Sequence, residues 1–292
     1  GMPGGALWVS AQTTVIDSVF RQNSAGIGPG GALVATSHLI VTRSLFEGNS
    51  GVSGGAVYLG NFGMPAFTAE FSNNTFSGNI ATITPANGAS DILAVSTPFT
   101  LILNNNTFVG GQVMNGSVIR VESGANAAFS NNIITAASAS TLPCAVNSPG
   151  TFIDGYNRVH VASGICNGTG TALLSADSLS DLGDYGGATE TYLLRPGSNA
   201  LDAGFATTCE SEDSRGVARR IGVGLCDIGA VEMHRLSMIP PAASSEATAT
   251  VAYTLRLTPA VPPGMLITVV AATTAGTAIS GTDYLPAHEL LV

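Results

Sequence analysis

One short block returns along the first half of the chain and limits what the chain can become. It reads Gly4-Gly5-Ala6-Leu7-Trp8-Val9, then Gly30-Gly31-Ala32-Leu33-Val34-Ala35, then Gly54-Gly55-Ala56-Val57-Tyr58-Leu59. Weaker copies follow at Ser90-Asp91-Ile92-Leu93-Ala94-Val95 and Gly116-Ser117-Val118-Ile119-Arg120-Val121. A second block is centred on Phe20, Phe46, Phe76, Phe108 and Ile134, at spacings of 26, 30, 32 and 26 residues. A long period with two short apolar blocks per unit describes a solenoid. Each unit is then one coil with at least two strands, and differences in length are absorbed in the corners.

Stacking the copies gives single residues a role. Leu7, Leu33, Val57, Leu93 and Ile119 make one apolar column, and Val9, Ala35, Leu59, Val95 and Val121 make the next. Strand side chains alternate, so both columns face inward, and Trp8, Val34, Tyr58, Ala94 and Arg120 between them face out. In the second block the Phe column stacks inward, and Asn23, Asn49 and Asn79 follow three residues later as an asparagine ladder. Asn suits a corner because it tolerates left-handed backbone angles and can bond its amide to the next coil. Charges pair between coils: Asp17 aligns with Arg43, and Arg21 with Glu47. The expected fold is all-β, a right-handed parallel β-helix over residues 1–165, resembling the pectate-lyase solenoid.

Composition supports strands and narrows the setting. The chain has 36 Gly, 10% charged residues and no lysine, which argues against a helical bundle. A net charge of −9 with scattered arginines excludes nucleic acid as a partner. No run approaches the roughly 20 apolar residues that span a bilayer. The cysteines fall into two close pairs, Cys144/Cys166 and Cys209/Cys226; three pairings are open, nearest-neighbour bridging is the simplest, and two disulfides point to an oxidising, extracellular or cell-surface location. The opening Gly1-Met2-Pro3-Gly4-Gly5-Ala6 is already in phase with the repeat, so further chain is expected upstream.

The Gly-Gly-Ala and Phe-x-x-Asn units resemble the repeats of polymorphic outer-membrane-type proteins and other bacterial β-helix proteins. From residue 166 the rhythm stops. The ordered motifs Asp181-Leu182-Gly183-Asp184-Tyr185-Gly186-Gly187, Leu193-Leu194-Arg195-Pro196-Gly197-Ser198, Asp213-Ser214-Arg215-Gly216 and Cys226-Asp227-Ile228-Gly229 are similar to the family called choice-of-anchor Q domain proteins. That resemblance implies a closing segment over residues 166–236. We expect it to cap the open end of the solenoid, with Asp202, Asp213, Arg215, Asp227 and Glu232 in structural bonds. A linker is read at 237–246, around Pro240-Pro241. Residues 247–292, including Gly281-Thr282-Asp283-Tyr284, resemble part of a Calx-beta sandwich. In that family an early Glu and this Asp hold calcium, which maps to Glu246 and Asp283.

Chemistry is sparse. Gly51-Val52-Ser53-Gly54-Gly55 matches a nucleophile elbow and Gly26-x-Gly28-x-x-Gly31 a dinucleotide loop, but both precede repeat strands where a helix is required. His38, His160, His234 and His288 share no metal spacing. Asp91, Arg120 and Glu122 are the remaining catalytic candidates for a polysaccharide lyase or glycoside hydrolase. Trp8 and Tyr58, two coils apart in an outward column, are candidates for stacking on sugar rings. The expected function is a monomeric, non-enzymatic adhesin or stalk that binds an extracellular glycan or a host or cell-surface ligand. It needs no cofactor beyond the calcium implied above. The alternatives are the enzyme on the same fold and a purely structural spacer.

Overall fold

The computed structural model describes residues 5–60, 66–82, 88–95, 99–113, 116–122, 124–147, 152–161, 168–219, 225–239, 254–258, 269–272 and 288–291. They belong to two compact units, 1–233 and 234–292. No helix occurs among the described residues.

The first unit is a parallel β-solenoid of about five turns with three walls. The first sheet stacks Leu7–Val9, Leu33–Ala35, Val57–Gly60, Ala89–Val95, Ser117–Val121 and Leu142–Val146. The second stacks Thr13–Ile16, Leu39–Thr42, Phe67–Ser72, Phe99–Asn104, Asn126–Ser130 and Phe152–Gly155. The third runs from Val19–Arg21 through Leu45–Glu47, Thr75–Ser77, Thr107–Val113, Ile133–Ala136 and Arg158–Val159 to Ala172–Leu173. The second sheet carries no copy of either repeat block, so only two of the three walls are marked by a recurring motif.

The core follows the columns. Phe20, Phe46, Phe76 and Phe108 stack ring on ring at 4.7, 4.7 and 4.5 Å, close to the spacing between coils. Both inward columns differ from expectation at the fourth coil, and Ala94, not Val95, is in register with Leu59 and Val121. Ile92, not Leu93, pairs with Val57 and Ile119, and Leu93 joins Tyr58 and Arg120 in the outward column. The register slips at an irregularity between Ala89 and Ile92, which consumes one residue and inverts the alternation.

The Gly-Gly pairs are explained by coil contact. A Cβ on Gly31 would lie 2.0 Å from the Gly55 carbonyl oxygen, and one on Gly55 would lie 2.0 Å from that of Ser90. The corner between the second and third sheets is turned by one left-handed residue per coil: Asp17, Arg43, Asn73, Asn105, Asn131 and Tyr156. In the next corner this role falls to Gln22, Gly48 and Gly78, immediately before the Asn23, Asn49 and Asn79 ladder. Of the two properties expected of the ladder asparagines, bonding to the next coil is the one in use, and the left-handed backbone falls to their neighbours.

Both corners carry buried amide ladders. The Asn49 side-chain oxygen accepts from the Asn23 backbone and side chain at 3.0 and 2.9 Å, and Asn79 does the same for Asn49 at 2.9 and 3.0 Å. A second ladder, Asn74–Asn106–Asn132–Asn157, repeats this geometry with distances of 2.8–3.0 Å. From Asn49 in the first ladder and Asn74 in the second, each side-chain nitrogen also donates back to a carbonyl of the preceding coil, such as Asn106 to Phe71 at 2.8 Å. The paired charges are as expected: Arg43 grips Asp17 at 2.8 and 2.9 Å, and Arg21 bonds Glu47.

In the second unit Arg235–Ile239 pairs antiparallel with Thr254–Thr258, and Val269–Ala272 pairs with His288–Leu291. This unit starts at His234, so the expected boundaries at 236 and 237 cut through a strand. Of the expected linker 237–246, residues 237–239 lie in this strand and the rest lie outside the described residues.

Candidate functional site

The closing segment begins on the edge of the last coil, where Ala172–Leu173 pairs with Arg158–Val159 and Thr169 bridges Gly155, and then leaves that end. It runs back along the corner between the second and third sheets, from Asn199 beside Arg158 to Glu190 beside Arg21 of the first described coil. The left-handed asparagines draw it there. Their side chains project from the corner and need partners, and Asn73 donates to the Glu212 carbonyl at 2.9 Å. Asn131 accepts from the Phe205 backbone at 2.8 Å, and the Tyr156 and Phe205 rings stack at 4.7 Å. Hydroxyls seal the third sheet: Thr75 meets Thr191 at 2.8 Å and Ser77 meets Tyr192 at 2.7 Å.

The acidic cluster in this strap is structural, as expected. Asp213 takes Arg215 at 2.7 Å and the backbone of Arg215, Val217 and Glu232. Arg219 is fully buried, bonded to Asn73, the Gly229 carbonyl and Glu232, and burial lowers its pKa. Asp227 accepts from the backbone of Asp202 and Met233. With these carboxylates engaged in loop closure, the cluster locks the strap in one conformation.

Cys209 and Cys226 form a disulfide with a Cα–Cα distance of 6.4 Å across 17 residues of sequence. Replacing both by serine is expected to lower stability by about 3 kcal/mol, measured by denaturant unfolding. Cys144 is disulfide-bonded, while its expected partner Cys166 lies outside the described residues, as do Glu246 and Asp283.

The catalytic candidates do not converge. Asp91 is fully buried and turned toward the Asn79 side chain (2.7 Å) and Ser90 (3.1 Å). Arg120 pairs with Glu122, which also accepts from Asn147 at 3.0 Å. Nor do Trp8 and Tyr58 form one platform. Trp8 is 36% exposed and Tyr58 is half-buried, but Val34, in register between them, is wholly buried. The outward column of the first sheet stays buried at Leu93 and Arg120. Gly30 shows part of the cause, since a Cβ there would lie 2.7 Å from Val34: the corner folds down onto the column.

With the strap on the third sheet and the first sheet's outward column buried, the second sheet presents the open face. Of its outward positions the column Thr42, Ser72, Asn104 and Ser130 meets the strap, where Asn104 donates to Glu210 at 3.0 Å, and two adjacent columns remain. In one, Thr68, Thr100 and Asn126 are in register, with His38 preceding Thr68 and accepting its backbone N–H on Nδ1 at 3.1 Å. In the other, Ile40, Glu70, Ile102, Ala128 and Ile153 are in register, with Ile40 41% and Ile153 62% exposed. Two adjoining hollows of about 270 and 220 Å³ share His38 and Thr68 and run from Thr13 to Asn126. At about 4.8 Å per coil the groove is about 19 Å long. Periodicity did not mark this site, because its lining repeats no residue type. The available signal was the alternation in Phe67-Thr68-Ala69-Glu70-Phe71 and Phe99-Thr100-Leu101-Ile102-Leu103.

Fold and site define a parallel β-helix with an elongated polar groove along one wall. No protein-family model, curated protein or solved structure matches the chain. Among the described residues no helix is long and apolar enough to cross a membrane, and no group of three or more metal-ligating side chains is assembled.

Proposed function

We propose that this chain is a secreted or cell-surface β-helix protein of the choice-of-anchor Q kind, an adhesin that holds an extended extracellular glycan along its second sheet. The carrying observation is the open groove, with hydroxyl, amide and imidazole groups in one column and aliphatic side chains in the next. A sugar chain needs both. Its hydroxyls bond the polar column, and its apolar ring faces cover the aliphatic one. In the neutral His38 ring Nδ1 accepts the Thr68 N–H, leaving Nε2 as a donor for the ligand. The disulfide fits an oxidising compartment.

The test is retention on immobilised polysaccharides. The full chain is expected to be retained by at least one of them. Thr100→Trp, which fills the groove, is expected to abolish retention without moving the unfolding midpoint. Failure of every polysaccharide, or unchanged retention of Thr100→Trp, sinks the reading. The hydrolase or lyase alternative draws support from one observation: His38 and Glu70, an imidazole and a carboxylate, line the same hollow. Product release from the retained polysaccharide, lost on Glu70→Ala, would replace adhesion with catalysis.

A further inference from the structure

Resting on the groove reading above, we propose that the glycan is cationic: an amino-sugar polymer whose ammonium groups are selected by Glu70. The coils use acids sparingly and nearly always in pairs. Asp17 is held by Arg43 and Glu47 by Arg21. Asp91 is held by Asn79 and Ser90, Glu122 by Arg120 and Asn147, and Asp154 by Asn157 and the Gly168 backbone. Glu70 is the exception. It is exposed in the middle of the groove, and no ion pair or side-chain hydrogen bond engages it among the described residues.

Its position makes the exception consequential. The residues in register with Glu70 on the two neighbouring coils are Ile40 and Ile102, so neither coil supplies a countercharge. Among the described residues no arginine lines either hollow, and the chain contains no lysine. Glu70 is therefore, among the described residues, the sole carboxylate or arginine lining the groove, and the whole chain carries −9. A polyuronate would bring repeated negative charge against this carboxylate with nothing to neutralise it. An amino-sugar chain brings the opposite sign. One ammonium at contact distance from a solvent-exposed carboxylate gains about fivefold in affinity, and salt erases the gain. The hydroxyl and amide column at Thr68, Thr100 and Asn126 binds either glycan alike, so the selectivity rests on the one acid.

The experiment compares three oligosaccharides of matched length by calorimetry on the full chain: β-linked glucosamine, its N-acetylated form and galacturonate. Glucosamine is expected to bind about fivefold tighter than the acetylated form, and galacturonate weakest. Glu70→Gln is expected to remove the glucosamine advantage while leaving affinity for the acetylated form unchanged, and added salt is expected to mimic the substitution. Equal or tighter binding of galacturonate, or a glucosamine advantage that survives Glu70→Gln, overturns the proposal and leaves the groove standing. Binding of none of the three, together with no retention on the wider polysaccharide panel, overturns the groove reading itself.

Discussion

Replacing Asn106 by leucine is expected to destabilise the first unit by about 3–6 kcal/mol, one of the largest effects a single side chain here can have. Leucine keeps the branched shape and is the larger residue, so lost packing is not the cause. The Asn106 side chain makes four hydrogen bonds where water cannot replace them. Its oxygen accepts from the Asn74 backbone and side chain, each at 3.0 Å. Its nitrogen donates to the Phe71 carbonyl at 2.8 Å and to Asn132 at 3.0 Å. Substitution leaves the Asn74 N–H, half of the Asn74 amide, one Asn132 lone pair and one lone pair of the Phe71 carbonyl without their partner in a fully buried column. Each orphaned buried group costs about 1–3 kcal/mol. Because total stability is about 5–15 kcal/mol, the loss approaches the margin on which folding rests. Urea unfolding beside Thr100→Ala, a surface control expected to stay within about 0.5 kcal/mol, provides the measurement. A loss below that of the control would mean the ladder contributes register and not stability.

The ladder that contains Asn106 shows what sequence periodicity can and cannot expose. The Phe column was legible because one large residue recurs at a fixed place in the coil, and a fixed place becomes a stack when coils superpose. The Asp17–Arg43 and Arg21–Glu47 pairs were legible for the same reason. Asn73-Asn74, Asn105-Asn106 and Asn131-Asn132 carried an equally plain signal, but two unlike roles are superposed in each dipeptide. The first residue turns the corner with positive φ and faces the strap, while the second is buried in the ladder. The Leu93 misplacement has a different source, because a local irregularity at Ala89–Ile92 changes parity without changing composition. The groove lay beyond periodicity altogether. Its openness depends on where residues 175–232 lie, and that is decided by tertiary bonds to Asn73, Asn105 and Asn131. Motif order alone suggested an end cap, because an open end is the most general need of a solenoid.

Asp91→Asn is expected to make the protein more stable at pH 8 by up to about 4 kcal/mol, and to remove much of its loss of stability between pH 4 and 7. The reason lies in how the ladders end. Every ladder amide donates toward the next coil, so the last one has an N–H left over. Asn79 gives its own to Asp91 at 2.7 Å, and Asn157 gives its own to Asp154. At the position after Asn79 the next coil has Gly111, and a Cβ there would lie 2.6 Å from the Asp91 carboxylate, which occupies the space a further asparagine would use. The carboxylate accepts well but is poorly solvated. Burial pushes the Asp91 pKa up to about 7 and the Asp154 pKa up to about 6, with hydrogen bonds only partly opposing the shift. Both folded values exceed the unfolded reference of 3.8. Their contribution is therefore complete below pH 4, falls as the unfolded chain ionises, and is gone once pH passes the folded value. The amide introduced by Asp91→Asn would keep the acceptor for Asn79 and turn its nitrogen toward Ser90, without a charge to desolvate. Unfolding free energies from pH 4 to pH 8 decide the matter. If wild type and variant run parallel, Asp91 is ionised in the fold at little cost, and the aligned ladder dipoles outweigh its burial.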